Sequence, residues 1–154
     1  MLRFIFRTLL RNLFYKPLNI DELRESQTRS AKMMQKFPKG ISVEHFSIHE
    51  LSLEWVSHES ANAEKIILYL HGGGYVSGDL TMYRLLCGSI SEKSGARVLM
   101  PDYRLAPEYP FPAALQDVLE VYDWLLREGF AAENIFFAGD SAGGGLSLAV
   151  TLAL

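Results

Sequence analysis

The sequence has almost no cysteine and no excess of positive charge. Cys87 is the only cysteine among 154 residues, so neither an intrachain disulfide nor a cysteine metal cluster can form. A single thiol is compatible with a reducing compartment, and we expect a cytoplasmic location. The formal net charge of −3 gives no reason to expect nucleic acid as a partner. Disulfide-stabilised domains and nucleic-acid binders are therefore not expected.

The first twenty residues lack acidic side chains but contain three arginines and one lysine. Apolar residues recur there at spacings of three and four, which is typical of an amphipathic helix. Arg7 and Arg11 interrupt the apolar run, which argues against a signal peptide and against a membrane span. Such a helix can lie in a membrane interface, giving peripheral membrane contact through residues 1–16. It can equally pack its apolar stripe on the protein's own body, and both alternatives stay open.

From residue 64 onward, strand, loop and helix patterns alternate along the chain. Short apolar runs are typical of strands buried on both faces. The predicted strands are 65–70, 96–100 and 134–138, each followed by a predicted helix, at 81–93, 113–128 and 143–154. This alternation predicts an α/β fold with a parallel sheet.

Upstream of residue 64 the patterns differ. A helix is predicted over 19–36, with Asn19 as its N-cap, and alternating residues between 41 and 56 predict two antiparallel strands. We therefore expect an N-terminal helical segment at 1–37 and an α/β core at 38–154. The sequence stops inside an apolar helix without a cap or polar tail, whereas native termini usually lie at the surface. We accordingly expect a chain truncated after this helix.

A Gly-Asp-Ser-Ala-Gly sequence occupies residues 139–143, between the third predicted strand and a helix. That context is typical of a nucleophile elbow, in which a tight turn lifts the serine hydroxyl clear of the sheet. The crowded turn needs small neighbours, and a helix N-terminus favours negative charge developing near the hydroxyl of Ser141. A bare G-x-S-x-G is also compatible with a plain glycine-rich turn.

A second glycine-rich sequence, His71-Gly72-Gly73-Gly74, follows the first predicted buried strand. An oxyanion loop occupies this place in α/β hydrolases, and glycine lets backbone N–H groups point at a substrate oxygen. Gly73 and Gly74, with Ala142, are our candidates for the N–H donors. Neither G-x-G-x-x-G nor a P-loop ending is present, so phosphate binding is not favoured.

Three motifs occur in a characteristic order. They are His71-Gly72-Gly73-Gly74-Tyr75, Asp102-Tyr103-Arg104-Leu105-Ala106-Pro107-Glu108 and Gly139-Asp140-Ser141-Ala142-Gly143-Gly144. With this order and spacing, the region of about 40–154 resembles the hormone-sensitive-lipase family of α/β-hydrolase carboxylesterases and lipases. The resemblance implies an α/β-hydrolase fold, truncated after the elbow helix, and a cap formed by N-terminal helices in residues 1–37.

The resemblance also implies roles for residues. Ser141 would attack a small-molecule carboxylic ester and form an acyl-enzyme, without metal or organic cofactor. His71 would orient the oxyanion loop with Gly72 and would not be the general base. Supporting roles would fall to Asp140 and to the loop from Asp102 to Glu108, with Glu108 near the elbow.

The sequence departs from the family in one respect. The family order is Ser, then Asp or Glu, then His, yet no Asp, Glu or His follows Ser141. Without a base the hydroxyl stays protonated, so we expect this chain itself to be inactive. A non-catalytic small-molecule-binding protein and a membrane-docking interaction protein are the alternative functions.

Four further expectations concern surfaces and pockets. The histidines upstream of residue 60 are expected at the surface, and the resemblance implies that the strand at 134–138 is an exposed apolar edge of the sheet. Cys87 is expected to be a buried structural thiol. The aromatic side chains of Tyr75, Tyr83 and Phe111 are candidates to line an acyl or alcohol pocket.

Overall fold

The computed structural model describes residues 19–33 and 37–154. Helix α1 spans Ile20–Met33, and Asn19 caps it, because its Oδ1 accepts the Glu22 N–H at 3.3 Å. The described part of this helix therefore ends three residues before the predicted end. The helix predicted within residues 1–16, and with it the predicted membrane contact, lies outside the described residues. No helix in the described ranges is long and apolar enough to cross a bilayer.

Five strands form one sheet in the order β1-β2-β4-β3-β5. Their bounds are β1 Ile41–Ile48, β2 Leu51–His58, β3 Asn62–Leu70, β4 Ala96–Pro101 and β5 Ile135–Gly139. Strands β3, β4 and β5 are parallel, whereas β2 is antiparallel to both β1 and β4. The predicted antiparallel pair and the predicted parallel strands are both confirmed, and the β1–β2 hairpin joins the parallel strands through β4.

Helices cover both faces of this sheet. After α1 come α2 Leu80–Ser94, α3 Ala113–Arg127, a 3₁₀ turn at Ala132–Asn134 and α4 Ser141–Ala153. On one face, Leu80 and Cys87 of α2 pack with Val98 and Met100 of β4. On the other, apolar side chains of α3 and α4 pack against β2, β3 and β4 around Leu68 and Leu99. Cys87 is fully buried, as predicted, and burial raises the pKa of its thiol.

Strand β5 differs from the prediction of a strand buried on both faces. Ile135 is buried, but Phe136 is 54% exposed. Phe136 is exposed because β5 is the edge strand of the described sheet and pairs only with β3. The predicted exposure of this edge is confirmed.

Candidate active site

The parallel strands bring the sequence motifs to one edge of the sheet. In register, Leu70 at the end of β3 lies opposite Gly139 at the end of β5, and β4 runs parallel to β3 on its other side. Ligands of open α/β sheets bind beyond the carboxyl ends of parallel strands. This edge carries two segments named here the glycine loop (residues 71–78) and the elbow (residues 139–143), together with the 102–112 loop.

The elbow is a strained turn between β5 and α4. Ser141 is exposed and has a φ of +49°, a left-handed conformation that is uncommon for a residue other than glycine. A Cβ on Gly143 would overlap the carbonyl oxygen of Leu70, and a Cβ on Gly139 would lie 2.5 Å from the same oxygen. The turn can therefore approach β3 this closely only with glycine at both positions.

The side chain of Asp140 links the elbow to the glycine loop. Its Oδ1 accepts the Gly72 N–H at 2.9 Å and the Tyr69 hydroxyl at 3.1 Å, while its Oδ2 accepts the Tyr83 hydroxyl at 3.1 Å. Burial, and after it the Asp140 charge, raises the pKa of Tyr83 to about 12. Both phenols therefore remain protonated hydrogen-bond donors at neutral pH, and Asp140 fixes the separation of the two segments.

Sequence reasoning missed the two tyrosines of this network. Tyr83 was expected in a substrate pocket, but its hydroxyl lies between the Asp140 carboxylate and the Gly72 N–H, which it accepts at 3.0 Å. Tyr69 belongs to an apolar strand run and carries no local sign of a polar partner 71 residues away.

His71 is buried and held by its neighbours. Its ring stacks on Tyr103, with centroids 4.2 Å apart and an interplanar angle of 11°. Nδ1 lies 2.9 Å from the Gly72 carbonyl oxygen, and Nε2 has no partner among the described residues. Burial lowers the pKa of His71, so the imidazole is neutral at neutral pH. No hydrogen bond in the described ranges joins His71 to Ser141.

The glycine loop leaves N–H donors free. Gly73 and Gly74 have φ values of +134° and +65°, and a Cβ on Gly73 would overlap the Ser77 carbonyl oxygen. The turn is closed by the Gly73 carbonyl, which accepts the N–H of Val76 at 3.2 Å and that of Ser77 at 3.0 Å. Within the described part of the chain, the N–H groups of Gly73, Gly74 and Ala142 have no hydrogen-bond acceptor. All three candidate donors are thus available to a ligand.

The 102–112 loop is anchored to the core and to the glycine loop. The Asp117 carboxylate accepts the Arg104 backbone N–H at 2.7 Å and the Arg104 Nη2 at 2.6 Å. Farther along, the Ala106 N–H donates to the Tyr75 carbonyl oxygen at 2.8 Å. This loop therefore supports the glycine loop through backbone contacts.

The loop contains two acidic residues that were assigned supporting roles, Asp102 and Glu108. The carboxylate of Glu108 pairs with Arg24 of α1 at 2.8 Å, and among the described residues no hydrogen bond joins it to the elbow. The pairing with α1 was not expected from the sequence, and a place near the elbow stays a prediction for Glu108. Asp102 keeps an exposed surface, yet the surrounding protein, and after it the carboxylates of Asp79 and Glu54, raises its pKa to about 6.

An apolar cavity of about 260 Å³ opens beside α4. Its lining includes Tyr75, Phe111, Leu115, Leu146 and Ala149. Tyr75 and Phe111 thus line an apolar cavity, whereas Tyr83 does not, and the use of this cavity as an acyl or alcohol pocket stays a prediction. The cavity is lined by Leu146 and Ala149 of the helix that Ser141 begins and by Tyr75 of the glycine loop.

Three further histidines lie on the β1–β2 hairpin, and His49 in its turn lines a pocket with Asp102 and Arg104 at the same edge of the sheet. His45 and His49 are exposed and lie near Glu54 and Glu120, at 3.7 and 3.5 Å. His58 contacts the Ser60 hydroxyl through Nδ1 at 2.7 Å. The expectation that they are not buried is confirmed, and among the described residues none of them hydrogen-bonds Ser141.

Comparison with known proteins places this geometry in a family. The family model described as alpha/beta hydrolase fold matches residues 67–154. An esterase of the bacterial hormone-sensitive lipase family has a crystal structure that superposes with a TM-score of 0.84, at 37% identity over 92% of this chain and 48% of that chain. This chain belongs to the hormone-sensitive-lipase type of α/β hydrolases.

Curated relatives of this hormone-sensitive-lipase-type chain are named as hydrolases. An acetyl-hydrolase of Streptomyces hygroscopicus is 39% identical over 70% of this chain and 36% of its own length. The hormone-sensitive lipase of Bos taurus is 35% identical over 66% of this chain and 14% of its own length. The chain therefore spans well under half the length of these relatives and about half that of the solved esterase.

Proposed function

We propose that this chain carries the nucleophile part of a carboxylic-ester hydrolase site, with Ser141 as the nucleophile. The observation that carries the proposal is the exposed, left-handed Ser141 on an elbow that Asp140 ties to a loop with free N–H donors. In the reaction, the Ser141 Oγ bonds to the carbonyl carbon, the bond to the alcohol oxygen breaks, and water later hydrolyses the acyl-enzyme.

The N–H groups of Gly73, Gly74 and Ala142 would bind the oxyanion of the tetrahedral intermediate. Removing one such donor typically costs about 2.7–4 kcal/mol of transition-state stabilisation. The substrate would be a small-molecule carboxylic ester, as the name of the Streptomyces relative suggests. The apolar cavity beside α4 would receive one of its non-polar groups.

Acylation also needs a base to take the Ser141 proton and deliver it to the departing alcohol. His71 is the histidine nearest to the elbow in sequence and structure, but its Nδ1 faces Gly72 and its ring is stacked on Tyr103. This sequence has no Asp, Glu or His after Ser141. We therefore infer that the 154-residue chain by itself binds esters without turning them over efficiently.

The first test is direct. The purified 154-residue chain should hydrolyse p-nitrophenyl acetate and butyrate no faster than its Ser141→Ala variant. Turnover at the rate of an intact esterase, abolished by Ser141→Ala, would show that the chain holds a complete catalytic set and would overturn the inferred lack of a base.

A chimaera tests the nucleophile itself. Residues 1–154 would be fused to the part of the solved esterase that follows the matched region, which is expected to supply an acid and a base. We expect hydrolysis of p-nitrophenyl butyrate, and a loss of about 10⁴–10⁶-fold in kcat on Ser141→Ala. A folded but inactive chimaera that still binds the ester would instead favour the non-catalytic binding function.

A further inference from the structure

Arg24 on α1 reaches two separate loops of the candidate site. Its Nε–H donates to the Val76 carbonyl oxygen at 2.7 Å, and its Nη2 donates to the Ala106 carbonyl oxygen at 2.9 Å. The same guanidinium forms a two-point pair with the Glu108 carboxylate at 2.8 and 2.9 Å. These partners lie 52 to 84 residues away in sequence, so the contacts fix tertiary structure.

Both residues whose carbonyl groups accept from Arg24 are hydrogen-bonded to residues of the glycine loop. Val76 closes the turn onto the Gly73 carbonyl, and Ala106 donates its N–H to the Tyr75 carbonyl. Tyr75 has a φ of +62°, a conformation that the surrounding contacts must maintain. Arg24, Val76, Tyr75 and Ala106 thus form a closed ring of covalent and hydrogen bonds around the end of the glycine loop.

Helix α1 is itself fixed in position. The Thr28 hydroxyl, one turn after Arg24, donates to Asp79 Oδ2 at 2.5 Å. Asp79 in turn caps α2 by accepting the Met82 N–H at 2.9 Å. The Arg24 guanidinium therefore extends from a helix that is hydrogen-bonded to the start of α2. Its planar arrangement of N–H groups allows it to bind two carbonyl oxygens and a carboxylate at once.

We propose that Arg24 is a positioning residue that holds the glycine loop in the conformation in which Gly73 and Gly74 offer their N–H groups to a substrate. The functional part of this inference rests on the proposed ester hydrolysis. The alternative is a surface ion pair with Glu108 that attaches α1 to the body without affecting the loop. A lysine at position 24 distinguishes the two roles. Its ammonium group can pair with Glu108, but it lacks the planar guanidinium that reaches both carbonyl oxygens.

Residue-resolved hydrogen exchange on the 154-residue chain tests the proposal without any catalysis. Arg24→Gln and Arg24→Lys should both accelerate exchange of the Val76, Ser77 and Ala106 amides by about tenfold or more, since each variant loses charge-assisted hydrogen bonds. Glu108→Gln, which keeps the two carbonyl contacts, should accelerate them less. Arg29→Gln is the matched control, because Arg29 is exposed on the same helix.

The amide of Val98 in the buried strand β4 serves as the internal reference. Acceleration confined to the three loop amides supports the positioning role. Unchanged exchange at those amides in Arg24→Gln, equal acceleration at Val98, or full protection in Arg24→Lys would each overturn it. These readouts do not depend on ester hydrolysis, so the positioning role can fail while the proposed function holds, and the reverse.

A catalytic readout applies once the chimaera of the preceding section is active. Arg24→Gln should then lower kcat for p-nitrophenyl butyrate by about 10- to 100-fold with little change in KM, since a small misplacement of donors acts on the transition state. Arg29→Gln should leave both constants unchanged. An unchanged kcat in Arg24→Gln, or an equal loss in Arg29→Gln, would overturn the positioning role.

Discussion

At the scale of single residues, backbone atoms of distant segments decide which side chains the site tolerates. Gly143 starts the first turn of α4, and a methyl group there would overlap the Leu70 carbonyl oxygen. Neither β3 nor α4 can move away, because buried apolar side chains of both pack together in the same core. The strict requirement at this position therefore comes from packing, whatever chemistry Ser141 performs.

Gly143→Ala should destabilise the chain by about 1–3 kcal/mol, the usual cost of forcing extra volume into a packed site. The matched control is Gly144→Ala, where the nearest atom to a new Cβ, the Gly139 carbonyl oxygen, is 3.3 Å away. In the control, the better helix propensity of alanine offsets the tighter contact, and little change is expected. Urea unfolding followed by circular dichroism measures both variants, and equal midpoints would contradict the steric argument.

Asp102 should make stability depend on pH in an unusual direction. Its pKa is raised from about 3.8 to about 6, so the folded state binds its proton more tightly than the unfolded state does. That contribution is complete below about pH 4 and is lost as pH rises through 6. Asp102→Asn should thus match the wild type at pH 4 and exceed it at pH 8.

The gain at pH 8 should be about 1 kcal/mol or less, because water still reaches the exposed carboxylate and screens it. Thermal melting of both proteins between pH 4 and pH 8 measures the difference. A variant that is less stable than the wild type at pH 8 would show that the Asp102 carboxylate makes a favourable contact.

Motifs predicted the glycine positions well, because the geometry of a tight turn is a local requirement. The glycines of the elbow and of the glycine loop were expected from turn geometry, and the structure gives them positive φ values or contacts that exclude a Cβ. Arg24 and Tyr69 gave no such signal, because their partners lie more than fifty residues away. The partner of Glu108 was not predicted for the same reason, since Arg24 belongs to a helix without a motif.

At the scale of elements, periodicity located every described helix and strand, but their pairing depended on long-range contacts. The antiparallel hairpin joins the parallel strands through β4, so the sheet is mixed. Strand β3 starts at Asn62, earlier than the apolar run, because Asn62 pairs with Ala96 across an irregularity. The apolar pattern does not reveal this early start, since Asn62 is polar and residues 62–65 are exposed.

The contact between the elbow and the glycine loop depends on Asp140. Asp140→Ala removes the acceptor of three donors, so we expect a loss of about 1–3 kcal/mol in the free energy of unfolding. Tyr83→Phe removes one hydroxyl and leaves the bond between Asp140 and the Gly72 N–H, so about 0.5–1.5 kcal/mol is expected. Chemical denaturation ranks the two variants, and an Asp140→Ala protein as stable as the wild type would show that the network contributes nothing.

At the scale of the whole molecule, the edge strand β5 and helix α4 both present apolar residues to solvent. Phe136 on the edge strand β5 is 54% exposed, and Leu148 and Leu152 on α4 are 69% and 88% exposed. Monomeric proteins rarely expose a contiguous apolar surface next to an unpaired strand, because such edges pair with other chains. The solved esterase is about twice as long as this chain, and its additional length provides material that could cover such a surface.

The 154-residue chain should therefore self-associate at micromolar concentrations, and the contact should involve β5 and α4. Phe136→Lys, which puts a charge on the edge strand, and Leu148→Glu should shift the population toward monomer, since a charge at an apolar contact must be desolvated. Leu86→Glu is the matched control, because Leu86 is 46% exposed on α2 and belongs neither to β5 nor to α4. Size-exclusion chromatography with light scattering, over a range of concentrations, measures the association. A monomeric wild type, or a Leu86→Glu variant that dissociates as well as Phe136→Lys does, would mean that the exposed residues of β5 and α4 do not drive the association.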